Sequence, residues 1–332
     1  MFHLLKTLID TDSCTGRESA LGHWLCHWLM QRGYQVERQE VDADRFNLIV
    51  RACPSPAVWL CTHLDTVEPF LRYREENGRI YGRGACDAKG SLWAMLSAME
   101  RLRRHPGANV GLLLVVGEEH DSDGAKMLAR SSMNGEYIIL GEPTDNHLVS
   151  HQKGALVFRI TVRGRSGHSG YPDRGSSAIH RLTQILFTLL HHDWGEDPEF
   201  GKTTVNIGRF HGGRGANIIA DHAQADGIFR LAIAPEEICR QLELYADDEV
   251  RVEVQSASHP QRLFTLPGYP VKTVAFGSDA AYLSPLGRVL MLGPGSIHFA
   301  HREDEQVGVD ELITACDLYE KLVLDLLQQG MR

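Results

Sequence analysis

The chain has 332 residues, with 34 Lys plus Arg against 43 Asp plus Glu for a formal net charge of −9, and 43% of its residues are hydrophobic. Single cores stop growing at roughly 250–300 residues, so two domains are expected, and the ordinary globular composition excludes disordered, collagenous and fibrous chains. The acidic balance excludes nucleic acid and anionic membrane as main partners, because both reward a basic surface.

From Phe2 to Gly33 apolar residues recur at helical spacing, with Leu21, Trp24, Leu25, Trp28 and Leu29 on one stripe and Gly33 as the stop. Strands are expected over 34–41, 46–51 and 57–61, then a helix beginning near Ala88 and carrying Leu92, Trp93, Leu96, Met99 and Leu102. The runs 110–116 and 137–140 are short and continuously apolar, the pattern of strands buried on both faces of a sheet. An α/β core follows, with a mixed sheet sandwiched by helices. After His151 the pattern changes to a strand at 156–162, a helix at 176–190, strands at 203–210 and 224–233, a helix at 235–245 and a strand at 250–254. Residues 273–276 and 289–292 then read as strands, and 309–327 as a long amphipathic helix. The order implies an insertion: 1–150 and 257–332 form one domain, and 151–256 a smaller α+β domain within it.

The longest clean apolar run, Val110 to Gly117, falls far short of the roughly 20 residues of a membrane-crossing helix. No signal-peptide pattern opens the chain, so the cytoplasm is the expected compartment. Seven scattered cysteines without a CxxC pair read as small buried hydrophobes, not as a disulfide framework or thiolate zinc site.

The chemistry collects at strand ends. His63-Leu64-Asp65 follows the strand at 57–61, and an aspartate two residues on can anchor the second ring nitrogen of a metal-binding histidine. Asp87 stands between glycines before a helix, where it could be a ligand or a helix cap. Glu118-Glu119 ends the strand at 110–116, and Glu142 ends the strand at 137–140. His298 and His301 follow the strand at 289–292. Two histidines and three or more carboxylates at strand termini make the inventory of a pair of divalent ions bridged by one carboxylate. Absence of HExxH, GxSxG, P-loop and GxGxxG signals excludes the single-zinc protease, serine hydrolase and nucleotide-binding readings.

The motifs HLDTV at His63, GRGACDAKG around Asp87, GEEHDSDG around Glu118, GEPT at Glu142, GHSGYP at His168 and AHREDE at His301 span nearly the whole chain in order. Together they resemble the M20 family of zinc-dependent aminoacylases and carboxypeptidase-like hydrolases, which includes acetylornithine deacetylase and succinyl-diaminopimelate desuccinylase. The resemblance implies that His63 and Glu142 bind one zinc, Glu119 and His301 the other, and Asp87 both, with cobalt or manganese suiting the same donors. It implies that Asp65 orients His63 and that Glu118 is the general acid/base. His298 competes with His301, whose AHxxxE setting matches the family. It further implies a homodimer formed through the inserted dimerisation (lid) domain, with His168 stabilising an oxyanion in the partner's site. Asn217 and Arg230 resemble substrate contacts, the arginine for a carboxylate. The implied activity is removal of an N-acyl group from an amino acid, most like acetylornithine deacetylase; desuccinylase, lysine-pathway deacylase and di- or aminopeptidase activities are the alternatives within the family. A zinc-dependent binding protein without catalysis is the alternative of another class.

Overall fold

The computed structural model describes residues 2–131, 133 and 135–330. The chain divides into two compact units: one takes the chain up to Ser150, Leu263–Lys272 and the chain from Ser278 onward, the other His151–Arg262 with Thr273–Gly277.

The first unit is built on a six-stranded mixed sheet in the order Gln35–Glu40, Phe46–Arg51, Val110–Val115, Val58–His63, Tyr137–Leu140, Arg288–Met291. The last four run parallel, and the first two add an antiparallel edge. Every residue of Val110–Val115 and Tyr137–Leu140 is buried, as their uninterrupted apolar runs require. The helix Lys89–Leu102 presents buried residues on almost every face and packs against Val309–Gly330. Each fully buried Leu or Val of this core contributes roughly 1.5–3 kcal/mol relative to its exposed state. Among the described residues no helix is long and apolar enough to cross a membrane.

The N-terminal region departs from the expected continuous helical reading. It forms two helices, His3–Asp10 and Ser19–Met30, and residues 11–18 leave the helical path. Thr11-Asp12-Ser13-Cys14-Thr15-Gly16 is polar and its side chains have other partners: Ser13 Oγ donates to the Leu64 carbonyl at 2.7 Å and Thr15 Oγ1 to Asp65 at 2.9 Å. Short polar side chains that bond backbone elsewhere compete with a helix. A hairpin of Arg74–Glu76 and Arg79–Tyr81, extended by Gln306–Gly308, was not foreseen either, because its strands are only three residues long.

The second unit is a four-stranded antiparallel sheet, ordered Thr204–Gly212, His222–Leu231, Gly154–Arg163, Val250–Ser258. Gly154–Arg163 and His222–Leu231 alternate buried and half-buried positions, so one face is covered, by helices Ala178–His191 and Pro235–Glu243. The strand expected to end at Val254 continues to Ser258 through a register shift between Val254 and Ser256.

Candidate metal centre

Parallel register brings the chemically active strand ends together. Cys61 lies opposite Leu140 and His63 opposite Val115, so the chain leaves all three strands at one edge of the sheet. The strand at Val58–His63 runs to the histidine itself, and Glu118-Glu119 and Glu142 follow within a few residues of their strands. The turn after Val116 needs glycine: Gly117 has φ +75°, and a Cβ there would run into the Asp123 carboxylate. Asp87 is not the cap of the following helix. Ala88 occupies that position without a side-chain capping bond, and the carboxylate faces the imidazoles.

His63 Nε2 lies 3.2 Å from Asp87 Oδ1, and His301 Nε2 lies 3.5 Å from Asp87 Oδ2 and 3.0 Å from Glu119 Oε2. Asp87 thus turns one oxygen toward each imidazole, as a bridging carboxylate must. Ligand atoms of His63, Asp87 and Glu119 all fall within 4.8 Å of one another. His63 Nδ1 is 2.9 Å from the main-chain carbonyl of Asp65 and 3.5 Å from its carboxylate. Donation to that carbonyl leaves Nε2 with the lone pair. The carboxylate is engaged elsewhere, accepting the Glu118 and Glu119 amides at 3.1 Å each and the Thr15 hydroxyl. Asp65 therefore holds the Glu118-Glu119 turn with its carboxylate, while its carbonyl at 2.9 Å and its carboxylate at 3.5 Å both face His63 Nδ1.

The electrostatics are those of crowded acid around two imidazoles. Burial alone would depress the His63 imidazole, but Asp65 and Asp87 hold it well above its ordinary value. Hydrogen bonds to Asp87 and Glu119 raise His301 to about 10. Burial opposes ionisation of Asp87, yet the two imidazoles hold it below the usual carboxylate range. Burial drives Glu118 and Glu142 well up, with neighbouring carboxylates adding to the effect. Asp279, fully buried, is pushed up to about 7 by burial and belongs to the same cluster; nothing in the sequence around Gly277-Ser278-Asp279 signals it. Glu142 Oε1 is buried with no hydrogen-bond partner among the described residues. An orphaned carboxylate oxygen is costly, and this donor set fits divalent zinc, cobalt or manganese.

His298 is exposed and takes no part in the cluster of His63, Asp87 and Glu119, whereas His301 contacts two of its members. His168, Asn217 and Arg230 lie in the second unit. His168 pairs with Ile218 across a two-residue ladder, and Ser169 donates to the Asn217 carbonyl, so the two loops are neighbours. His168 Nδ1 accepts the Gly170 amide at 3.1 Å, which leaves Nε2 as the donor of the neutral ring. Asn217 is exposed; Arg230 is half-buried on the strand His222–Leu231.

Comparison with known proteins agrees with this architecture. The peptidase dimerisation domain of the M20 family matches residues 150–253. A probable carboxypeptidase from Aspergillus terreus is 36% identical over 97% of this chain and 85% of its own length. The fold is similar to that of a tripeptidase from Staphylococcus aureus, with TM-score 0.83, 21% identity and coverage of 98% and 97% of the two chains. It is also similar to an M20 family metallo-carboxypeptidase from Sulfolobus solfataricus, with TM-score 0.79, 16% identity and coverage of 97% and 98%. With a relative this similar over almost its entire length, the chain belongs to the M20 peptidase family.

Proposed function

We propose that the protein is a metal-dependent hydrolase of linear amide bonds, acting on short peptides or N-acyl amino acids that carry a free carboxylate. The observation that carries this reading is the convergence of His63, Asp87, Glu119 and His301 beside Glu118. His63 and Glu142 would hold one divalent ion, Glu119 and His301 the other, with Asp87 shared. Such a pair supplies Lewis-acid polarisation of the amide carbonyl and a lowered pKa for water. Glu118 takes the proton of the attacking water and returns it to the leaving amine, a role suited to a carboxyl that burial raises well above its ordinary value. His168, through Nε2, is the proposed donor to the developing oxyanion in a partner subunit's site, within a homodimer formed by the inserted domain. Arg230 is the proposed clamp for the substrate carboxylate and Asn217 a further substrate contact.

N-Acetylornithine remains the finer acyl alternative, but its motifs are those of the whole family. The relative named a probable carboxypeptidase supports a peptide with a free C-terminus instead. The test is a panel of di- and tripeptides, their C-terminal amides, and acetyl and succinyl amino acids, offered to zinc- or cobalt-loaded protein. Cleavage of free-carboxylate substrates, abolished by chelation and restored by metal, is expected. No turnover of any member would overturn the enzymatic reading.

Two further results follow from the charge pattern. Metal binding requires unprotonated imidazoles, whereas the metal-free site holds His301 protonated up to about pH 10 and His63 also raised. Apparent metal affinity therefore rises with pH across the neutral range, and binding releases protons. Calorimetry in buffers of different ionisation enthalpy measures the release; a buffer-independent heat would contradict it. Asp279, when ionised, raises Glu118. Asp279→Asn removes a carboxylate that raises Glu118, so the acidic limb of kcat/KM against pH should move to lower pH. An unmoved limb would detach Asp279 from the catalytic carboxylate.

A further inference from the structure

A carboxylate outside the proposed ligand set organises the loop that carries Asp87. Pairing of Gln306 with Tyr81 in the three-stranded sheet places Glu305 beside Gly82, whose amide donates to the Glu305 carbonyl at 3.1 Å. From there the Glu305 side chain enters the turn at 83–87. Its Oε1 accepts three backbone amides, from Gly84 at 3.0 Å and from Cys86 and Asp87 at 3.1 Å each. Its Oε2 accepts Arg83 Nη1 at 2.6 Å. Both side chains are about 1% exposed. Arg83 is fixed in turn by the carbonyls of Pro69 and Arg302, each at 3.1 Å. The turn leaves no room for a side chain at Gly84, which has φ +86° and would place a Cβ 2.8 Å from Lys89 Cδ.

Successive backbone amides converging on one anionic oxygen form a nest, and hydrogen bonds to a charged acceptor are the stronger kind. One member of this nest is the amide of Asp87 itself, and Glu305 lies four residues after His301. A single residue thus ties the carboxylate between the imidazoles to the segment that supplies the second imidazole.

Resting on the dinuclear reading of the site, we propose that Glu305, locked by Arg83, is a positioning residue that sets the Asp87 carboxylate between His63 and His301 and so determines the affinity for the paired ions. It touches neither ion nor substrate and acts through the backbone of residues 84–87.

The test is titration of metal-free protein with Co2+, following visible absorption and bound stoichiometry, for wild type, Glu305→Gln and Arg83→Lys. Glutamine keeps an acceptor oxygen but removes the charge; lysine keeps a cation but loses the fork that reaches Pro69 and Arg302. Partners that orient a metal ligand typically matter about 10–100-fold in affinity, so Glu305→Gln should weaken cobalt binding by that factor and alter the absorption spectrum. Arg83→Lys should shift both in the same direction by less, and it carries the test if Glu305→Gln does not fold. KM for substrate in the cobalt-saturated variants should stay near wild type. Wild-type affinity and spectrum in a folded variant, whatever its thermal midpoint, overturn the inference. Wild-type protein that takes up no cobalt overturns the dinuclear reading first and the inference with it.

Discussion

Glu118→Ala is expected to lower kcat by about 10²–10⁴-fold, the usual contribution of a positioned acid/base, while the protein still takes up two divalent ions. Among the described residues the Glu118 side chain has no hydrogen bond or ion pair with His63, Asp87 or His301, and its backbone amide donates to Asp65. Truncation should therefore remove the proposed proton carrier while leaving the proposed metal ligands in place. The raised pKa follows from burial and from Glu142 nearby. Steady-state kinetics beside metal analysis by atomic emission check both halves. Full activity in the variant would exclude Glu118 from the proton path, and loss of metal along with activity would make it a ligand.

Asp87→Ala should have the larger effect, with the bound metal falling below two per chain and hydrolysis falling to the background of metal-free protein. Asp87 is the residue that faces both imidazoles, so no other side chain of the cluster can take over both of its contacts. The same change leaves the metal-free chain with His63 fully buried and one carboxylate fewer to pair with. Removing one partner of a buried ion pair costs roughly 3–5 kcal/mol, so the metal-free variant should also unfold at lower denaturant than metal-free wild type. Stoichiometry by equilibrium dialysis and urea unfolding measure the two consequences. Retention of two ions with wild-type activity would mean that Asp87 does not bridge.

Glu118 and Glu119 are adjacent, yet His301 pairs with Glu119 alone. Asp65 grips both amides and so fixes the turn that carries them. That arrangement puts the proposed ligand and the proposed proton carrier at neighbouring positions.

The strands at Val58–His63, Val110–Val115 and Tyr137–Leu140 were legible from their apolar runs, because a strand buried on both faces has no polar alternation to blur it. Acidic and imidazole residues directly after those runs marked the site for the same reason: charge beside a buried strand has few places to go except a cleft. His301 was separable from His298 only by its surrounding motif, since both follow the same strand within ten residues. Helical spacing on either side of residues 11–18 hides a polar break whose partners lie some fifty residues away.

Residue types and spacing by themselves determined the buried strands, the change of pattern near residue 150 and the inventory of donors, because each of these depends on local periodicity and on the chemistry of single side chains. Only the folded chain decided that the Asp65 carboxylate grips the Glu118-Glu119 turn while its carbonyl faces His63 Nδ1, that Asp279 joins the acid cluster, and that Glu305 reaches the turn at Asp87 from 218 residues further along. Hydrogen-bond direction and the pairing of distant segments depend on which strand lies beside which, and that is a property of packing that no local pattern encodes.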